Sequence, residues 1–443
     1  MSFYDAIRVG ASGAADFEIE RSIRNDQGTA DVNNGSNLEH TYSSAGNRKT
    51  FTISVWFKKC GKAGDIGDGD DQYSIFSTGG GGSGAANGNL LLYNNDQLYF
   101  ISNPQPSANA RFYTTRVFRD ESAWYHLVVA VDTTQATESN RVKIYINGVQ
   151  ETDFSTATYP SQNADLEFNH AVRHRIGSNS LGSNLNSTYG NFNGYRILIN
   201  SAATATTLGK DTSGNGNNFT PNGYVTGDAV KDSPTNNFAI LRTHSTPKAS
   251  GVKLAEGNLK YTTGSSGGAG TQNRIAISTF LPTSGKWYAE VIPTSGTGNQ
   301  CAGIIPYAVE DTPTTDRARY NIVNFNTGQI LKNLSGSGAT DTYGASISTN
   351  DVLCIYMDMD AKTVYYGKNG QWADGSGSWN QATPTSGSAL GNSFFNNKTG
   401  GHEGFGIGIM SVTGGASITC MANFGQDSTF GGTLSAGGNT DAN

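Results

Sequence analysis

Apolar and polar residues alternate in short runs along most of the chain. Between residues 51 and 59, Phe51, Ile53, Val55 and Phe57 fall on one side of a period of two. That period belongs to a strand with one buried face. Similar runs lie at residues 73–78, 90–94, 98–102, 124–131, 142–147, 174–178 and 194–200. A second series follows at 275–280, 285–293, 302–307, 320–324, 352–358, 363–368, 404–410 and 417–422. Asn147-Gly148 and Asn369-Gly370 separate neighbouring runs. Both residue types tolerate positive φ, so each pair predicts a tight hairpin. Turn-separated short strands predict an all-β chain. We expect two antiparallel, jelly-roll-like β-sandwich domains in tandem behind a short N-terminal attachment segment.

The two series set the segmentation. Residues 1–49 are polar and irregular and read as an attachment or oligomerisation segment. Residues 50–200 form the first sandwich, 201–250 a turn-rich linker, 251–430 the second sandwich, and 431–443 a Gly-rich tail. No fixed-period repeat relates the two halves. Glycine reaches 57 residues and charged residues only 15%, which removes long amphipathic helices from consideration. The net charge is −6 with no basic run, so nucleic acid is not an expected partner. No apolar run approaches the roughly 18 residues of a membrane span. The first 20 residues lack the basic start and apolar stretch of an export signal. Cys60, Cys301, Cys354 and Cys420 are widely spaced, and they read as buried reduced thiols rather than a disulfide framework.

Two resemblances follow from longer motifs. Residues 51–59, 123–134, 142–149, 174–180 and 192–200 carry, in order, the strands of a LamG- or pentraxin-type concanavalin A-like jelly roll. Among them are a Trp-x-His strand (Trp124, His126) and a strand ending Tyr-Ile-Asn-Gly. Residues 285–291 (Gly-Lys-Trp-Tyr-Ala-Glu-Val), the hairpin 351–372 and Asn423-Phe424-Gly425-Gln426 resemble a SPRY-like domain. The order of both domains around residues 208–224 and 233–241 is similar to tail-fibre-like structural proteins of marine bacteriophages. That resemblance covers nearly all of residues 40–426. It implies a virion protein on tail or capsid surface, commonly a homotrimer, joined to other virion proteins through the N-terminal segment. It implies a host surface glycan or protein as the outward partner, and no reaction.

Candidate chemistry was weighed on the residues themselves. Glucanases of this sandwich type need carboxylates at alternate strand positions, so that both reach one face. The nearest pair, Glu151 and Asp153, lacks a third acid, and no catalytic residue is expected. Gly264–Gly268 and Gly79–Gly84 match nucleophile-elbow and dinucleotide strings without the required strand–turn–helix context. Asp65, Asp68, Asp70 and Asp71 form an acidic loop that reads either as a Ca²⁺ site or as a solvated loop. No other cofactor is expected. His170 and His174 have no third ligand, and His126 reads as a structural hydrogen-bonding residue. Ring faces that stack on sugars are the better lead. Tyr113, Tyr159, Tyr189, Trp372 and Trp379 are taken as loop aromatics for ligand binding, with Trp372 and Trp379 first. Trp56, Trp124 and Trp287 are expected in the core. The rival readings are a capsid-decorating fibre or minor tail component without receptor role, a glycan depolymerase on a concanavalin A-like scaffold, and a secreted lectin.

Overall fold

The computed structural model describes residues 19, 21–24, 36–60, 73–79, 86–93, 95–103, 110–177, 195–197, 208–211, 215–224, 226–243, 252–263, 274–296, 300–306, 320–333, 338–390, 404–411 and 418–435. Among them there is no α-helix, only strands, turns and short 3₁₀ segments. The strands make four sheets, stacked as two sandwiches.

The first sandwich begins with a seven-stranded sheet. Its order from edge to edge is Val149–Glu151, Val142–Ile146, Trp124–Asp132, Thr50–Lys59, Tyr195–Ile197, Ser22–Arg24 and Ala229–Val230. The facing eight-stranded sheet runs Phe154–Thr158, Ala110–Val117, Gln97–Asn103, Asn87–Leu92, Tyr73–Gly79, Arg173–Ile176, Asn37–Thr41 and Thr220–Asn222. Phe57, Leu127, Val129 and Ile144 of one sheet meet Leu90, Phe100 and Phe112 of the other in one buried cluster. The alternation read from residues 51–59 is therefore the inward face of a central strand.

The second sandwich pairs a seven-stranded with a nine-stranded sheet. The seven run Leu241–Thr243, Arg274–Ser278, Phe405–Ser411, Gln300–Pro306, Tyr320–Asn324, Ile330–Asn333 and Gly338–Asp341. The larger sheet runs Val252–Ala255, Lys260–Thr263, Ile418–Asn423, Lys286–Ser295, Leu353–Asp358, Thr363–Lys368, Gln371–Ala373 and Trp379–Gln381, with Ser388–Ala389 beside Thr363–Lys368. Ala302, Ile304 and Val323 pack on Val291, Ile355 and Val364. Both Asn-Gly pairs are hairpin turns with positive φ at each residue: 52° and 80° at Asn147-Gly148, 51° and 79° at Asn369-Gly370. The four cysteines are free and buried.

Tyr366 crosses this core. It is fully buried, and its hydroxyl donates to the Asn321 carbonyl on the opposite sheet. Gly303 leaves room for it, since a Cβ there would meet the Tyr366 hydroxyl. Tyr366→Phe leaves that carbonyl without its donor and is expected to cost about 1–2 kcal/mol, read from the midpoint of urea unfolding.

The segment boundaries drawn from composition fall inside the sheets. Ser22–Arg24 and Asn37–Thr41, expected in the attachment segment, are strands of the first sandwich. Thr220–Asn222 and Ala229–Val230, expected in the linker, pair with those two strands, and Leu241–Thr243 edges the second sandwich. Such strands of two to five residues are too short to show a period of their own; they form because a distant partner offers an open edge. Residues 431–435 fold back on the chain, with the Gly431 N–H donating to Asp427 and Leu434 packing near Phe430.

Charged groups fill the joint between the sandwiches. Arg24 has no exposed side-chain surface and reaches Asp228 (3.2 Å), Glu256 (3.1 Å) and Asp427 (3.2 Å). Burial alone would lower its pKa, but the three carboxylates outweigh that and hold it above the ordinary arginine value. Gln426 of the Asn-Phe-Gly-Gln motif donates to the Ala239 carbonyl at 2.8 Å and accepts from the Phe424 N–H at 2.7 Å. Cys60, Ile240 and Leu259 make a small apolar cluster beside it.

A candidate glycan-binding face

The inward residues of the nine-stranded sheet include Ala289, Val291, Ile355, Met357, Val364, Tyr366 and Ala373. Strand alternation turns their neighbours outward. Tyr288, Tyr356 and Tyr365 stand opposite one another on three adjacent strands, Tyr288 against Tyr356 and Tyr356 against Tyr365. Trp372 comes from the next strand, paired with Gly367. The absence of a side chain at Gly367 matters, because a Cβ there would lie 3.2 Å from the indole. The rings meet edge to face: Trp372 lies 6.5 Å from Tyr288 and 6.2 Å from Tyr356, at interplanar angles of 63° and 76°. Tyr356 and Tyr365 are 5.5 Å apart. That pair is tilted by 33° rather than edge-on, and Tyr365 lies against Gly387; the edge contacts of Trp372 leave ring surface for another molecule.

Polar groups border these rings. The Tyr288 hydroxyl donates to Glu290 at 2.8 Å, and Asn423 donates to the other Glu290 oxygen at 3.1 Å. Lys286 and Asp358 lie 3.8 Å apart on the same side. Although 49% of Tyr288 is exposed, burial pushes its hydroxyl well above the ordinary tyrosine range, and Cys354 and Glu290 add to the rise. The hydroxyl is therefore protonated at every pH below about 10.

Next to this face a cavity of about 260 Å³ opens at the end of the second sandwich. Phe238, Phe280, Trp287, Met357 and Phe424 line it. Trp287 shares the inward parity of Ala289, but it sits at the start of its strand, where the sandwich is open, and is 42% exposed. The expectation of a core residue is corrected there. Trp56 and Trp124 both lie on the outer side of the strands whose Phe57 and Leu127 point inward, but Trp124 is buried there, as expected, with its indole N–H on Asp232. Trp56 stacks on His126 at 4.7 Å, and His126 shares a hydrogen bond with Ser54 at 2.9 Å. Burial lowers the His126 pKa, so this ring is neutral near pH 7.

The aromatic candidates separate. Trp372 joins the exposed face. Trp379 does not: its indole N–H donates to the Ala345 carbonyl at 2.8 Å and its ring packs over Gly344 and Tyr343 against the core. Tyr159 packs edge-on to Phe112 at 4.9 Å and belongs to the first core. Tyr113 is a strand residue, not a loop residue, and stacks at 3.8 Å on Tyr99, which stacks in turn on Tyr93. In that column the rings cover one another's faces. Tyr189 and the acidic group Asp65, Asp68, Asp70 and Asp71 lie outside the described residues. Glu151 is held by Arg116 at 2.6 Å, and its other oxygen accepts from the Asp153 N–H. His170 pairs with Glu167 at 2.9 Å, and His174 bonds the Val172 carbonyl.

Tyr288, Tyr356 and Tyr365 were not singled out in the sequence. Their signal was available: each sits one position from a core residue, so parity alone turns it outward.

Comparison with known proteins bears on the first sandwich. Residues 31–199 match the concanavalin A-like lectin/glucanases superfamily. The match starts before Asn37–Thr41, in keeping with that strand's place in the lectin/glucanase-type sandwich. The mouse laminin alpha1 chain domains LG4-5 are similar at 9% identity over 92% of this chain and 89% of theirs, with a TM-score of 0.31. The SPRY domain of human HERC1 is 13% identical over 38% of this chain and 89% of its own, with a TM-score of 0.27. The CBM40 of a Ruminococcus gnavus IT-sialidase, bound to alpha2,3 sialyllactose, is 13% identical over 48% of this chain and 91% of its own, at a TM-score of 0.23. No curated protein is similar enough to the chain to match it.

Proposed function

We propose that this chain is a non-catalytic, glycan-binding adhesin of a bacteriophage particle, which turns the outer face of its nine-stranded sheet toward a host surface polysaccharide. The observation that carries the binding role is the row Tyr288, Tyr356, Tyr365 and Trp372 on adjacent strands. Rings on rigid strands stack on the apolar faces of sugars with little ordering cost. Glu290, Lys286 and Asp358 supply hydroxyl partners at the border. Several copies on one particle, three in a trimeric fibre, raise a weak single-site affinity through local concentration. The particle assignment rests on the motif order described above; the lectin/glucanase match, which covers residues 31–199 of the first sandwich and not this sheet, supports a carbohydrate role for the chain as a whole.

The test is affinity electrophoresis of the purified chain through gels carrying bacterial surface polysaccharides, with assay of released sugar ends. Retardation in at least one polysaccharide without sugar release is expected. Released oligosaccharide would replace the adhesin by a depolymerase, and uniform migration through a panel that includes the host's own polysaccharide would remove the glycan role.

A further inference from the structure

We propose that Lys58 and Asn237 are joined by an intramolecular isopeptide bond that locks the first sandwich to the segment leading into the second. Lys58 lies on the outer side of the strand Thr50–Lys59, yet its side chain has no exposed surface. Its Nζ lies 2.7 Å from Asn237 Oδ1 and 3.1 Å from Asp232 Oδ2. It also donates to the Phe238 carbonyl at 2.6 Å. Asp232 is equally buried; its Oδ1 accepts from Trp124 Nε1 at 3.0 Å and from the Phe238 N–H at 3.3 Å. Asn237 Nδ2 donates to the Ser122 carbonyl at 2.8 Å, which fixes the carboxamide with its oxygen toward the amine. An amine, a carboxamide and a carboxylate thus share one site, with the amine and the carboxylate fully buried and the part-buried Asn237 at the edge of the cavity. The next residue, Lys59, reaches the carboxylate of Asp96 instead.

The reaction balances without a further reagent. Asp232 takes one proton from the Lys58 ammonium. The neutral amine attacks Asn237 Cγ, and the electron pair of the C=O bond moves to Oδ1. The tetrahedral centre collapses, the C–N bond to Nδ2 breaks, and protons from the attacking nitrogen and Asp232 leave with it as ammonium. One amide bond forms and one breaks. Asp232 ends as it began, a carboxylate. Holding the amine against the amide supplies the proximity that such an acyl transfer lacks in water, and the buried carboxylate carries the protons.

The inference does not depend on glycan binding. Intact-mass spectrometry of the full chain reads it directly. Wild type is expected one ammonia lighter than its sequence mass, with a branched tryptic peptide joining the Lys58 and Asn237 peptides. Lys58→Met and Asp232→Asn should keep their full mass. A folded wild-type chain at full mass overturns the proposal. An ammonia loss that persists in Lys58→Met also overturns it, because cyclisation of Asn147 or Asn369 onto the following glycine gives the same mass change. If either variant fails to fold, the wild-type branched peptide decides: its presence supports the bond and its absence refutes it.

Discussion

Arg24→Ala is expected to destabilise the protein by about 3–5 kcal/mol at neutral pH, because it strands carboxylates in the joint without their cation. Arg24 is the shared partner of Asp228, Glu256 and Asp427, drawn from both sandwiches. The sign of the pH response separates this account from simple loss of packing. In wild type, burial alone would raise the Asp427 pKa, but Arg24 and the hydrogen bonds from Thr429 and Gly431 pull it below the ordinary value. Its contribution to stability is therefore present above the unfolded-state pKa near 4 and is lost as the pH falls through the lower folded value. In Arg24→Ala the same carboxyl groups are buried without their cation, which raises their pKa. Protonation then favours the folded variant, so its deficit should shrink between about pH 7 and pH 4. Urea unfolding of both proteins across that range reads the effect. A deficit that stays constant with pH would show that the carboxylates bear no charge strain.

Strands with a clear alternation of apolar positions were legible in the sequence whether their partners lie near or far, and strands without one were not. Residues 51–59 and 363–368 alternate cleanly because one face is core and the other is not. Ala110–Val117 escaped notice because Arg111, Thr114, Thr115 and Arg116 dilute its apolar positions, although Phe112 is fully in the core. Ser22–Arg24 pairs with strands near residues 197 and 230, which no local pattern encodes. The joint is still less visible: residues 24, 228, 256 and 427 meet only after both sandwiches have formed. For the candidate face, Trp372 was picked out as an aromatic of the right kind in the wrong setting, a loop. The tyrosines beside it needed strand register before they became a row.

The second large effect concerns binding. Trp372→Ala and Tyr288→Ala should each weaken polysaccharide binding by about 2 kcal/mol, roughly 30-fold, as removal of a central aromatic anchor commonly does. Neither change touches the inner core, so the urea midpoint should move little. Trp379→Ala should do the reverse. It empties a space over Gly344 and Tyr343 and is expected to cost about 3 kcal/mol of stability with binding retained in the folded fraction. Because the Tyr288 hydroxyl is held protonated, it should add no pH dependence of its own to wild-type affinity between neutral pH and about pH 10. A loss of binding in Trp379→Ala with none in Trp372→Ala would move the site off this sheet.

The most direct measurement is a crystal structure of the full chain with an oligosaccharide from a polysaccharide that retards it. Sugar density lying over Tyr288, Tyr356, Tyr365 and Trp372 is the expected result. Density seated elsewhere, with these four rings bare, would contradict it.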